Sequence, residues 1–104
     1  MFASIIQYRL NPIFEPDFLK LWHQQREWLE SRGMLHSSIL HRESRITYIA
    51  YAQWKNRQDF EAYMYEPEEE LRILWDKIEE CCNSISVPYR LYPVAEASHG
   101  KIQS

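Results

Sequence analysis

Glycine is nearly absent from this chain, with only Gly33 and Gly100 among 104 residues. A phosphate-cradling loop needs several glycines so that backbone amides can approach the ligand closely, and none can be assembled here, so no nucleotide cofactor is implied. Cysteine is equally scarce. Cys81 and Cys82 are neighbours, a disulfide between them would be strained, and no third thiol offers a partner; both are expected as reduced, structural thiols on a helix. Zinc-type cysteine–histidine spacing and a serine-nucleophile elbow are also missing. No stretch approaches the ~20 apolar residues that span a bilayer, and no charged segment followed by an apolar run opens the chain. The expectation is a cytoplasmic protein with no membrane partner. Lys and Arg are scattered singly within a formal charge of −3, so no basic stripe exists to neutralise phosphates, and nucleic acid is not expected as a partner.

What is present is globular. Hydrophobic residues make up 45% and charged residues 26% of the chain, enough apolar surface for a packed core, and the length suits one domain. That domain is expected over residues 1–94, with a flexible tail over 95–104, where small and polar residues show no period.

Phe2–Leu10 alternates with period two, placing Phe2, Ile6, Tyr8 and Leu10 on one face and Ala3, Ile5, Gln7 and Arg9 on the other, as a strand requires. Prolines and acids at Pro12 and Glu15-Pro16-Asp17 announce a helix over Asp17–Arg32, in which Phe18, Leu21, Trp22 and Leu29 recur at helical spacing and Gly33 is the stop. Met34–Arg42 and Arg45–Trp54 read as two strands joined through Glu43-Ser44. Asn56 can cap a second helix with one long apolar stripe from Phe60 to Cys82, broken into two pieces at Pro67, which is read as the first turn of the second piece. Ser86–Val94, with Pro88 and Pro93 inside it, reads as an irregular edge strand.

The order strand, helix, strand, strand, helix, strand is a split βαβ unit repeated once. It predicts an α+β, ferredoxin-like βαββαβ domain, an antiparallel sheet with both helices on one face. The other face would carry Ala3, Ile5, Ile49 and Tyr51, and a second copy of the chain is the simplest cover for it.

The run Tyr48-Ile49-Ala50-Tyr51-Ala52-Gln53-Trp54-Lys55-Asn56-Arg57-Gln58-Asp59-Phe60 resembles the third strand and second-helix entry of antibiotic-biosynthesis-monooxygenase (ABM)-type domains, and Gly33 after the first helix fits the same pattern. The resemblance implies a dimeric α/β barrel, a homodimer formed sheet to sheet, with a pocket between sheet and helices in each subunit. Some members of the family oxygenate polycyclic phenols or quinols without metal or flavin, others degrade haem, and others have no established activity. The phenol-oxygenating branch carries an asparagine and a tyrosine where this chain has Ala50 and Phe60, neither of which can hydrogen-bond through its side chain. In the haem-degrading branch the matching positions fall near Tyr8 and Ile73. Isoleucine cannot ligate iron, which leaves His23, His36 and His41 as other ligands and makes haem degradation the weakest fit.

From these residues the expected function is an ABM-like monooxygenase that binds a small aromatic or quinone-type molecule and oxygenates it without a cofactor. The alternative is a non-catalytic ligand-binding or oligomerisation module of the same fold. Tyr8, Trp54 and His36 are the candidate catalytic residues: a phenol and an imidazole to hold or accept a proton, and an indole at the pocket. Tyr48, Phe60, Tyr63 and Trp75 are the candidate substrate-binding residues, which with Tyr8 and Trp54 would line an aromatic-walled cavity. No metal site is expected, and the acids at Glu66–Glu70 are assigned only to the helix start beside them.

Overall fold

The computed structural model describes residues 1–95, which run β1 (Phe2–Leu10), a 3-10 turn (Pro12–Phe14), α1 (Glu15–Ser31), β2 (Leu35–Arg42), β3 (Thr47–Trp54), α2 (Arg57–Tyr65), α3 (Glu69–Glu80) and β4 (Cys82–Leu91). The strands form one antiparallel sheet in the order β2-β3-β1-β4, and this βαββααβ arrangement is the ferredoxin-like fold expected, with the second helix in two pieces.

β1 holds the sheet together because both of its edges are paired, to β3 on one side and β4 on the other. Its period-two pattern puts Phe2, Ser4, Ile6, Tyr8 and Leu10 under the helices, where all are buried. α1 covers them with Phe18, Trp22, Gln25 and Leu29, a stripe at helical spacing. The helix ends as Gly33 predicts. The Gly33 amide donates to the Glu30 carbonyl at 3.0 Å, the Met34 amide donates to the Leu29 carbonyl at 3.1 Å, and Gly33 itself has φ +71°. These are the two bonds of a Schellman cap, which needs a residue in the left-handed region.

Elsewhere the boundaries move. β3 begins at Thr47 rather than Arg45, because the Thr47 carbonyl closes the turn by accepting from Glu43 at 2.9 Å while the Ile46 carbonyl accepts from Leu10 at 2.7 Å. Asn56 caps α2 as expected, its Oδ1 accepting from the Asp59 amide at 2.8 Å. Pro67 lies just ahead of the N-cap Glu68 of α3, outside the helix rather than in its first turn. The largest correction is at β4. It starts at Cys82, not Ser86, and stops at Leu91, so Cys81 caps α3, Cys82 opens the strand, and Pro93 falls beyond it. The apolar stripe that carried the helix through Cys82 is continued by the strand's own inward residues, Ile85 and Val87, which pack against the core. Pro88 sits on an edge strand, and register shifts opposite Ile5–Gln7 and Arg9–Leu10 make that strand irregular, as its prolines require. Of the expected tail at 95–104, all but Ala95 lies outside the described residues.

The helix-free face carries Ile5, Ile49 and Tyr51 half-buried, with Ile39 and Tyr89 each 56% exposed and Leu91 40% exposed. Cross-strand pairing puts Ile39 and Ile5 on either side of Tyr51, and Tyr89 beside Ile5, so the patch is continuous. No helix in the described residues is long and apolar enough to cross a membrane.

The Gly33 cap gives a direct test. A Cβ added at Gly33 would meet nothing within 4 Å, so Gly33→Ala carries only the backbone penalty of the left-handed conformation. The expected loss is about 1–2 kcal/mol in urea unfolding; no loss would show that the helix ends by other means.

Candidate functional site

Several of the rings expected to wall a pocket pack against one another in the core. Trp54 lies 5.5 Å from Phe60 and 5.1 Å from Tyr63, and Tyr63 lies 5.3 Å from Trp75, centroid to centroid. Contacts at these spacings are the packing aromatic rings prefer. Trp54 is 1% exposed and its indole Nε1 donates to Ser4 Oγ at 2.9 Å, which satisfies the one polar group it buries.

Space remains only where the strand carries small side chains. Ala50 and Ala52 of β3, with Ile6 and Tyr8 of β1, floor a cavity of about 30 Å³ beneath α1. Trp22, Gln25, Arg26 and Leu29 from α1 roof it, Tyr63 from α2 closes one end, and Leu35 and Ser38 come from edge strand β2. Such a volume holds a water-sized group, whereas pockets for drug-sized ligands run to about 300–1,000 Å³. Arg26 and Ser38 are the half-exposed members of the lining, so the mouth opens between α1 and β2.

The polar chemistry of the molecule's interior converges here. Tyr63 donates its hydroxyl to Gln25 Oε1 at 2.6 Å, a separation natural for O–H···O and short for an amide donor, which fixes the orientation of the amide. Gln25 Nε2 is then left free, and so are Arg26 Nε and Ser38 Oγ; these are the buried side-chain polar atoms without a partner among the described residues. All three belong to residues that line the cavity. Native proteins rarely leave such groups unmatched, and their clustering makes this cavity the candidate site.

The two phenols are neutral. Burial pushes Tyr8 above the ordinary tyrosine range and Tyr63 well above it, with the neighbouring Tyr8 adding to the second effect. Tyr8 therefore serves as a hydrogen-bond donor at neutral pH. It has no ionised form to act as the proton acceptor.

Of the sequence candidates, the cavity brings Tyr8 and Tyr63 together. Trp54, Phe60, Tyr48, Trp75 and His36 do not line it. Tyr48 instead bonds Glu15 and Arg42 at the sheet's edge, accepting from Arg42 Nη2 at 2.7 Å. Trp75 borders an open groove against β4. His36 lies exposed at a register irregularity between Leu35 and Ser37, and His23 and His41 are exposed as well. Cys81 and Cys82 are free thiols, and burial pushes Cys82 up to about 12, which leaves it protonated and inert. Gln25, Arg26 and Ser38 were not expected. Gln25 had a sequence signal: it occupies a core position in the spacing Phe18, Trp22, Leu29, where a polar residue is a buried donor in need of a partner.

Larger depressions of about 390–480 Å³ exist between α1 and α3, beside β4 and on the helix-free face, but they collect no unpartnered buried group among the described residues.

The buried phenols make stability pH-dependent. A group whose folded pKa is raised stabilises the fold fully below its unfolded value, about 10 for tyrosine, and loses that contribution as pH rises past it. Unfolding free energy is expected to fall above about pH 10, by up to about 1.4 kcal/mol per pH unit for each phenol still protonated in the fold. Tyr8→Phe should flatten that fall; an unchanged slope would mean that Tyr8 ionises freely in the folded chain.

Neither a protein-family model nor a curated protein sequence matches the chain. Solved structures do match in shape. An antibiotic biosynthesis monooxygenase superposes at TM-score 0.75 and 15% identity, over 91% of this chain and 100% of that one. A variant of SnoaB, a cofactor-independent oxygenase from Streptomyces nogalater, superposes at 0.75 and 10% identity, over 91% of this chain and 94% of that one. A protein of unknown function from Nitrosomonas europaea superposes at 0.72 and 8% identity, over 93% and 92%. At such identities the likeness is one of fold.

Proposed function

We propose that this chain, which has the fold of antibiotic biosynthesis monooxygenase domains, binds a small aromatic or quinone-type molecule oxygen-first in the cavity beneath α1 and oxygenates it without a cofactor. The observation that carries the reading is Gln25: 3% exposed, anchored by Tyr63, with its amide nitrogen free towards a cavity whose floor is apolar. A ligand oxygen, water-sized, satisfies that donor and fits the cavity as it stands. The ring enters when Arg26, the long flexible member at the mouth, swings out, a rotamer change of the kind common on binding.

In the reaction, the electron-rich ring carbon of the ionised ligand passes electrons to dioxygen and a carbon–oxygen bond forms. The oxygen–oxygen bond then breaks, leaving one oxygen as a ring carbonyl and releasing the other as water with the two hydrogens of that carbon. The protein supplies a dry site and orientation, with neutral Tyr8 as a donor to the ligand. A second reading, binding without turnover, is favoured by one observation: no histidine or carboxylate lines the cavity.

We further propose a homodimer through the helix-free face, since the continuous patch of Ile5, Ile39, Ile49, Tyr51 and Tyr89 is costly to leave in water. Sedimentation at micromolar concentration is expected to give a dimer for the wild type and a folded monomer for Ile49→Asp. A wild-type monomer would end this part of the proposal.

Ligand and turnover are tested together with a tricyclic phenol bearing an activated ring methylene, at a pH where it is ionised, followed by fluorescence quenching and oxygen uptake. Saturable binding with one dioxygen consumed per ligand is the expected result. Binding without uptake selects the second reading, and absence of binding refutes both.

A further inference from the structure

The cavity's polar lining is one-sided. Gln25 Nε2 and Arg26 Nε can only donate, and Ser38 Oγ, the third unpartnered atom, donates as readily as it accepts. Tyr63 already spends its proton on Gln25, and Tyr8 is a neutral phenol. The titratable lining groups are Tyr8, Tyr63 and Arg26 alone; no Asp, Glu or His is among them. Arg26 brings a positive charge to the mouth. Its one ion-pair partner is Glu30, reached by Nη1 at 4.0 Å on the half-exposed side of the helix, where pairing is weak.

A site built this way has no group to take a proton from a bound phenol. Every free polar atom is instead arranged to receive a ligand that arrives without one, since donors to a charged oxygen form stronger bonds than donors to a neutral one. Resting on the function proposed above, the geometry points to a narrower ligand class: acidic phenols, hydroxyquinones and enols that are already ionised in solution near neutral pH, held by their anionic oxygen against Gln25, Ser38 and Arg26. Ordinary phenols, which keep their proton, are poor ligands. The selection is made by the absence of a base as much as by the donors. It also assigns a binding role to Arg26, at the half-exposed edge of the inward stripe of α1.

The test uses single-ring probes, the smallest that present such an oxygen on a ring: para-nitrophenol, which ionises near neutrality; nitrobenzene, of similar shape and without charge; and phenol, which ionises near pH ~10 as tyrosine does. Affinities are measured by fluorescence quenching between pH 5 and 9. The expected result is tight binding of para-nitrophenolate, with affinity falling about tenfold per pH unit below the probe's own ionisation. Nitrobenzene, and phenol at neutral pH, should bind at least about tenfold more weakly, the effect of one charge-assisted hydrogen bond. Arg26→Gln, on a half-exposed helix position, should cut para-nitrophenolate affinity about tenfold and leave nitrobenzene unchanged. Ser38→Ala should act in the same direction in a chain shown folded by circular dichroism. Equal affinity for nitrobenzene and para-nitrophenolate, an affinity flat with pH, or an equal loss for both probes in Arg26→Gln would each overturn the inference while leaving the cavity a ligand site. Failure of all three probes and of the tricyclic phenol would overturn it together with the function on which it rests.

Discussion

Two of the side chains that β1 turns under the helices carry hydroxyls, Ser4 and Tyr8, and both are buried to within 1%. The rest of the interior follows from finding them partners. A buried hydroxyl left unmatched costs about 1–3 kcal/mol, comparable to a sizeable fraction of a small domain's stability. Ser4 is matched by the Trp54 indole, which draws the end of β3 and the start of α2 over β1 and fixes where Phe60 and Tyr63 must pack. Tyr8 sits at the other end of that cluster, next to Tyr63, which bonds Gln25 and so ties α2 to α1. A single strand's polar positions therefore set the relative placement of both helix layers.

That chain of satisfied contacts stops at Gln25. Its carbonyl oxygen is used and its amide nitrogen is not, and the two other unmatched atoms, on Arg26 and Ser38, gather round the same cavity. The void exists because β3 carries Ala50 and Ala52 where a larger residue would have filled the space below α1. Seen from the sequence, Ala50 marks the loss of a hydrogen-bonding asparagine. In the fold it is the floor that makes room. The polar groups around that space come from α1, α2, β1 and β2.

The period-two and helical patterns were readable because each is set by neighbours within one element: β1's alternation, the α1 stripe, the Asn56 cap and the Gly33 stop all recur in the structure. Element order carried the topology for the same reason. The β4 boundary was not readable, since Cys82, Ile85 and Val87 continue an apolar series that fits either a helix or a strand, and only pairing to β1 decides between them. The site was harder still. Aromatic residues at the right faces look alike whether they wall a cavity or fill it, and which of the two holds depends on the volume of the residues opposite. Trp54 packs against Phe60 and Trp75 against Tyr63, while Tyr8 and Tyr63 also reach the cavity because they lie beside the alanines. Ser38 gave no signal at all, because the register irregularity at His36 determines which β2 residues face α1.

The apolar patch and the cavity lie on opposite sides of the sheet. The apolar patch around Ile5, Ile49 and Tyr51 is on the helix-free face, while the cavity opens on the helix side, past Arg26 and Ser38. β3 serves both: Ala50 and Ala52 floor the cavity, and Ile49 and Tyr51, alternating with them, form the patch. Because the side-chain period of a strand is two, a shift of one residue in the pairing of β3 would exchange the two sets, putting isoleucine and tyrosine beneath α1 and alanines on the open face. Register is what keeps the cavity empty and the patch apolar at once. It is fixed at one end by Trp54 on Ser4 and at the other by Tyr48, whose hydroxyl is bonded by Glu15 and Arg42. Trp54 and Tyr48, two of the candidate residues that stand outside the cavity, thus act on it from the ends of β3, by holding in place the strand that forms its floor.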